Sequence, residues 1–274
     1  MSATCNICPK TCTLRDGQTG FCGARACKNN KVYPASYGYV TSLALDPIEK
    51  KPLNNFYPGS SILSVGSFGC NMRCAFCQNY SISMPEQNPE TRKLMPDELV
   101  KIAEDLKPQG NIGVAYTYNE PLTNYEYVLD ASRLVKKAGM KNVLVTNGQI
   151  NEEPLQNLLP YIDAANIDLK GFTPEYYAEL GGDFETAKNT IEKAAQSCHV
   201  EVTMLIVPSK NDSEEEVDAA SEWLSSVNPD IPLHITRFFP RYKLEDVPPT
   251  PVSDIYALKE TAEKHLKHVY AGNC

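Results

Sequence analysis

Cys70, Cys74 and Cys77 stand in Gly66-Ser67-Phe68-Gly69-Cys70-Asn71-Met72-Arg73-Cys74-Ala75-Phe76-Cys77-Gln78-Asn79, separated by three and then two residues. A loop this short can turn all three sulfurs inward onto one compact cluster. Structural zinc closes with four ligands, whereas three cysteines on a cube of four irons leave one iron open to a small molecule. The competing reading is a three-cysteine zinc site that borrows a distant fourth ligand. A second group, Cys5-x2-Cys8-x3-Cys12-x9-Cys22 with Cys27 close behind, puts four more thiols within reach of one metal. Spacing alone leaves zinc, a second iron–sulfur centre and free or redox thiols open at that group.

Composition bears on what those thiols do. The chain has 274 residues, 26 Lys and Arg against 34 Asp and Glu, and a net charge of −8. That balance argues against a counterion-releasing grip on nucleic acid, tRNA included, or on an anionic membrane. No apolar run is long enough to span a bilayer and the start of the chain lacks an export signal, so a cytoplasmic protein is expected. Ten cysteines in that compartment read as metal-binding or catalytic rather than as five disulfides. Phosphate-cradling glycine loops and a Ser-His-Asp arrangement are absent from the sequence.

The elements that must position the thiols follow from the apolar pattern. Residues 1–59 are rich in Cys, Lys, Asn, Gly and Pro and read as loops and short strands stapled by a metal. Residues 60–274 alternate apolar runs with amphipathic segments. Strands are expected at Ile62–Val65, Ile112–Tyr116, Val143–Thr146, Ala164–Asp168, Val200–Val207 and Leu233–Arg237. Helices are expected to start near Pro96, Thr123, Glu152, Pro174, Glu185, Ser213 and Ser253, with Gly139 as a stop. Six strand–helix units fall short of a closed eightfold barrel, so the expected α/β fold is a partial (β/α)6 TIM-like barrel, with a doubly wound open sheet as the alternative.

The cysteine loop after the first strand resembles the signature of the radical S-adenosylmethionine (radical SAM) superfamily, with Phe76 matching its usual aromatic. The resemblance implies a [4Fe-4S] cluster on Cys70, Cys74 and Cys77 whose open iron chelates the amino and carboxylate groups of S-adenosylmethionine. It also implies an electron from a donor such as flavodoxin or ferredoxin, and cleavage to methionine and a 5′-deoxyadenosyl radical that abstracts hydrogen. Tyr116-Thr117-Tyr118-Asn119-Glu120-Pro121 resembles the superfamily's Gly-Gly-Glu-Pro-like segment, making Tyr118, Asn119 and Glu120 cofactor contacts. Glu120 would accept from the ammonium, since an ionised carboxylate is an acceptor only.

Val145-Thr146-Asn147-Gly148 and Asn166-Ile167-Asp168-Leu169-Lys170 resemble segments of glycyl-radical-enzyme activases such as pyruvate formate-lyase activating enzyme. They add Thr146, Asn147, Asp168 and Lys170 to the cofactor site, although Val145 replaces the Asp that helps those activases bind a monovalent ion. His234 and Arg237, from Leu233-His234-Ile235-Thr236-Arg237-Phe238, are assigned to the active-site wall. The N-terminal cysteines, Leu45-Asp46-Pro47-Ile48-Glu49-Lys50-Lys51-Pro52-Leu53 and Tyr57-Pro58-Gly59 resemble the AmmeMemoRadiSam-system radical SAM enzymes, which implies a further cysteine-containing tail beyond Cys274. A protein substrate, the glycine Cα of a glycyl-radical enzyme, is favoured by the activase resemblance, with another protein, peptide or small molecule as the alternative. From a different class, the rival is a non-catalytic zinc or iron–sulfur protein.

Overall fold

Apolar runs of the sequence become the strands of one mostly parallel sheet. In this computed structural model, which describes residues 1–274, β1 (Ser42–Pro47) pairs antiparallel with β2 (Ser61–Gly66). Parallel to β2 follow β3 (Asn111–Tyr116), β4 (Lys141–Thr146), β5 (Ala164–Asp168), β6 (His199–Ile206), β7 (Leu233–Arg237) and β8 (Val269–Gly272). Spatial order equals chain order and the edge strands β1 and β8 do not pair, which is an open, partial barrel. Helices α1 (Pro96–Asp105), α2 (Tyr125–Lys137), α3 (Glu152–Leu158), α4 (Pro174–Glu179), α5 (Phe184–Ala195), α6 (Glu214–Val227) and α7 (Val252–Ala262) return the chain between strands. Three of the starts are fixed by side chains that accept from orphan N–H groups: Thr173 from Tyr176, Asp183 from Thr186 and Ser213 from Glu216.

Alternation along each strand sorts residues between two cores. Val114, Leu144, Ile167, Val202 and Ile235 face outward and pack with helix residues such as Leu99, Val128, Leu155, Ile191 and Leu224. Ile62, Ala115, Val143 and Ala164 face the lumen and pack with Ile48, Leu53 and Phe56. Those last three belong to the connection between β1 and β2, which plugs the barrel floor. No helix is long and apolar enough to cross a membrane.

The plug is tied down by buried charge. Glu201 on β6 accepts the Asn54 and Asn55 backbone N–H groups at 3.0 and 2.7 Å, and both oxygens also face imidazoles, His199 at 2.9 Å and His234 at 2.7 Å. Burial alone would raise its pKa, but these partners hold it down at about 2. A depressed carboxylate stabilises the fold above its unfolded pKa and loses that contribution as pH falls toward its folded value. Glu201→Gln is therefore expected to cost roughly 3 kcal/mol at neutral pH. Denaturant titrations of both proteins should show the gap closing as pH drops from about 4.5 toward 2.

All six expected strands are present, and helices begin at Pro96, Glu152 and Pro174. The start expected at Thr123 falls in a 3-10 turn, Pro121–Asn124, with α2 following directly. Two strands were not expected. β1 lies before residue 59, so the chain enters the main sheet ahead of the composition change, and β8 closes the order at the other edge. The remaining N-terminal residues form two small hairpins, Ser2–Thr4 with Thr13–Arg15 and Arg25–Lys28 with Lys31–Pro34.

Candidate active site

The loop after β2 carries Cys70, Cys74 and Cys77 over the C-terminal ends of the strands, where a parallel barrel places its chemistry. Asn119 braces it from the end of β3, accepting the Ser67 N–H at 2.9 Å and donating to the Gly69 carbonyl at 3.0 Å. Arg73 clamps its far side, donating to the carbonyls of Cys70 and Met72 at 2.8 and 2.7 Å and also to that of Phe21. Asn79 donates to the Tyr118 carbonyl at 2.6 Å. The loop is thus held from both sides by side chains.

The thiols share one environment. Burial pushes Cys70 well above the usual thiol range, Cys74 up to about 11 and Cys77 upward; Cys74 and Cys77 further raise Cys70, and Cys77 raises Cys74. Each sulfur also meets a donor or a cation. Cys70 Sγ accepts from the Met72 N–H at 3.4 Å and Asn147 Nδ2 at 3.6 Å, the Asn79 N–H and Ser83 favour the Cys77 thiolate, and Cys74 feels the Lys170 ammonium. Donors and cations around buried sulfur stabilise thiolate, the form that binds metal. Three thiolates from one short loop suit an iron–sulfur cube, which three cysteines hold while leaving one iron open.

Glu120 follows at the end of β3, buried, accepting from Leu122 N–H at 3.0 Å, Thr146 Oγ1 at 2.8 Å and Asn147 N–H at 2.8 Å. Burial raises its pKa to about 7 against these three bonds. Thr146 and Asn147 are therefore locked to Glu120, and Asn147 carries the link on to Cys70. Lys170 Nζ donates to Asp168 Oδ2 at 2.7 Å and lies 6.0 Å from the Phe76 ring. Burial would lower the Lys170 pKa, but Asp168 and Cys74 together hold it above the usual lysine value. A fixed ammonium beside the thiols can receive a carboxylate.

Three expected residues are placed apart from this group. Tyr118 has its backbone near the loop, but a positive φ of 74° turns its ring into the lumen, where its hydroxyl donates to Asp46 at 2.7 Å. His234 sits in the lower lumen against Glu201 and Tyr270. Arg237 shares the parity of Leu233 and Ile235, so it leaves the lumen and donates to the Thr250 carbonyl at 2.6 Å. Cys5, Cys8, Cys12 and Cys22 lie on the other side of the cysteine loop, lining a cavity of about 20 Å³.

Sequence reasoning missed Asn71 and Lys51. Asn71 accepts from Asn147 Nδ2 at 2.9 Å and donates to the Gln149 carbonyl at 2.7 Å, and its place between Cys70 and Met72 was the available signal. Lys51 is buried in the lumen, paired with Asp46 at 2.8 Å and lying 4.8 Å from the Tyr118 ring. No local pattern marks a lysine as buried.

Residues 64–224 match the family model described as the Radical SAM superfamily. An uncharacterized protein of Methanocaldococcus jannaschii is 41% identical over 98% of this chain and 80% of its own length. The pyruvate formate-lyase-activating enzyme of Clostridium pasteurianum is 26% identical over 58% of this chain and 68% of its own. Among solved structures, a domain of a pyruvate-formate lyase-activating enzyme from Bacteroides vulgatus superposes with a TM-score of 0.52 at 15% identity, over 59% of this chain and 99% of that one. Streptococcus suis SuiB bound to S-adenosylmethionine gives 0.57 at 13% identity, over 75% and 48%. These two likenesses bear on the fold, and it is a partial barrel. With more than half of the chain matched by the family model and the motif cysteines inside the match, the chain belongs to the radical SAM superfamily.

Proposed function

We propose that the chain is a radical SAM enzyme that acts on a protein glycine, as a glycyl-radical activase does. The observation that carries the radical SAM part of the reading is the unbroken contact from Cys70 through Asn147 to Glu120, with Lys170 beside Cys74. Cys70, Cys74 and Cys77 would hold a [4Fe-4S] cluster, a fit supported by one buried and two half-buried thiols supplied with N–H donors and a cation. Bound there, the cluster supplies one electron to the sulfonium of S-adenosylmethionine, whose cleavage gives methionine and a 5′-deoxyadenosyl radical.

The chain's own residues do the rest. Glu120 has one carboxylate lone-pair direction left after its three bonds and accepts from the cofactor's ammonium. Thr146 and Asn147 fix that carboxylate in place. Lys170, oriented by Asp168, faces the methionine carboxylate, and Phe76 keeps water from the cluster side. The reductant of this reading is a one-electron donor protein of the flavodoxin or ferredoxin class.

Similarity to enzymes named as activating pyruvate formate-lyase supports a glycine Cα as the hydrogen donor. The test is isotopic. Protein from source cells grown on α-deuterated glycine, added to the reduced enzyme with S-adenosylmethionine, should place deuterium in 5′-deoxyadenosine and give a glycyl-radical spectrum. Label appearing only with deuterium supplied in other amino acids would point to a different substrate.

A further inference from the structure

The first hairpin of the chain ends at Thr4 paired with Thr13, and this brings Cys5 and Cys12 together, with the Cys5 N–H donating to the Cys12 carbonyl at 2.9 Å. Cys8 lies in the turn between them, and Cys22 reaches the same place from the next turn. All four thiols line one cavity of about 20 Å³, closed by Leu14, Phe21 and Leu122, whereas Cys27 is buried elsewhere and does not line it.

These sulfurs are supplied with donors. Cys5 Sγ accepts from Arg25 Nε at 3.2 Å, and Arg25 is itself buried and gripped by Glu126 through both terminal nitrogens at 2.7 and 2.6 Å. Nearby backbone N–H groups favour the thiolate of Cys22 and of Cys8, as does the side chain of Asn71 for Cys8, against the burial that raises both. A neutral thiol is a weak acceptor and needs none of this; a metal-bound thiolate does. Zinc carries no electron. The contact of this group with the Cys70 loop therefore favours a redox-active iron–sulfur cube over zinc.

The two cysteine groups touch. The Cys70 N–H donates to the Cys22 carbonyl at 3.1 Å, and Asn71, which lines the same cavity as Cys8, accepts from Asn147, the amide that also reaches Cys70 Sγ. Gly69 makes room for this contact, since a Cβ there would lie 2.5 Å from the Cys22 oxygen.

We propose that Cys5, Cys8, Cys12 and Cys22 ligate a second [4Fe-4S] cluster, joined to the catalytic cysteine loop through the Cys22–Cys70 hydrogen bond. Existence of the site is independent of the function proposed above; its use as a relay rests on that reading. In the relay a flavodoxin- or ferredoxin-class donor loses one electron, the second cluster carries it, and the cluster at Cys70, Cys74 and Cys77 gains it, with no bond made or broken.

Anaerobic reconstitution followed by iron, sulfide and zinc analysis tests the site in three proteins: the full chain, the Cys5→Ala/Cys8→Ala variant and the Cys70→Ala/Cys74→Ala/Cys77→Ala variant. Expected are about eight irons per chain in the first and about four in each of the others. The reduced full chain should give a spin-coupled electron paramagnetic resonance spectrum that becomes a simple single-cluster signal in either variant. Should the N-terminal variant not fold, the triple variant decides alone, because it keeps all four N-terminal cysteines. A triple variant that holds zinc, or no metal, overturns the second cluster. If it does so while the N-terminal variant keeps about four irons and cleaves S-adenosylmethionine, the proposed function survives without the relay. Iron in the triple variant, with none held by an N-terminal variant that folds, would keep the second cluster and remove the proposed function.

Discussion

Gly69→Ala is expected to lower stability by roughly 3 kcal/mol or more and to reduce iron loaded at the Cys70 loop at least several-fold. Gly69 has a φ of +88°, where an L side chain is strained, and an added Cβ would meet the Cys22 oxygen at 2.5 Å and Ala24 Cβ at 2.8 Å. Neither neighbour is a flexible side-chain end that could swing aside. The two cysteine loops must therefore separate, and the Cys70 N–H bond to Cys22 is lost with them. Gly17→Ala serves as the control, because Gly17 has a similar φ of +79° but nothing within 4 Å of an added Cβ. It should cost only the backbone strain, about 1–2 kcal/mol, and leave iron content unchanged. Chemical denaturation and iron analysis of both proteins separate strain from collision.

Glu120→Gln should weaken S-adenosylmethionine binding by roughly 10- to 100-fold, equivalent to about 1.5–3 kcal/mol for a lost charge-assisted bond. The substitution keeps the shape but removes the anion that would face the cofactor's ammonium. It also aims an amide NH2 at a site where the Leu122 and Asn147 N–H groups and Thr146 Oγ1 already point at the carboxylate. At least one buried donor is then left without an acceptor. Equilibrium dialysis with labelled S-adenosylmethionine measures the affinity, and an unchanged value would show that Glu120 is a brace for the β4 end rather than a ligand for the cofactor.

How much of this was legible before any coordinates depends on the range of each signal. The Cys70 loop was legible because its ligands lie within eight consecutive residues and its spacing is itself the message. The six internal parallel strands were legible as apolar runs or, in Leu233–Arg237, as an apolar–polar alternation. Ser42–Pro47 and Val269–Gly272 are half-buried edge strands that carry neither a continuous run nor a clean alternation. The lumen plug was hidden for a related reason. Lys51 and Asp46 look like surface residues in sequence and become buried only because each neutralises the other.

Arg237 carries a different lesson. Leu233 and Ile235 alternate with His234 and Thr236 in the sequence, and the apolar pair packs in the outer core. Arg237 has the parity of the apolar pair, so its departure from the lumen could have been read from period two alone. His234 has lumen parity, yet its register opposite Thr203 places it well below the rim. Parity can be counted from a sequence; depth in the barrel depends on the register with neighbouring strands.

The central claim is that Cys70, Cys74 and Cys77 hold a cluster able to pass an electron to S-adenosylmethionine. The most direct measurement is the yield of 5′-deoxyadenosine from the anaerobically reconstituted chain given dithionite and S-adenosylmethionine, beside the Cys74→Ala variant prepared in the same way. The account predicts 5′-deoxyadenosine and methionine in equal amounts from the first and none from the second. Equal, background-level yields from both proteins, with iron present in the first, would contradict it.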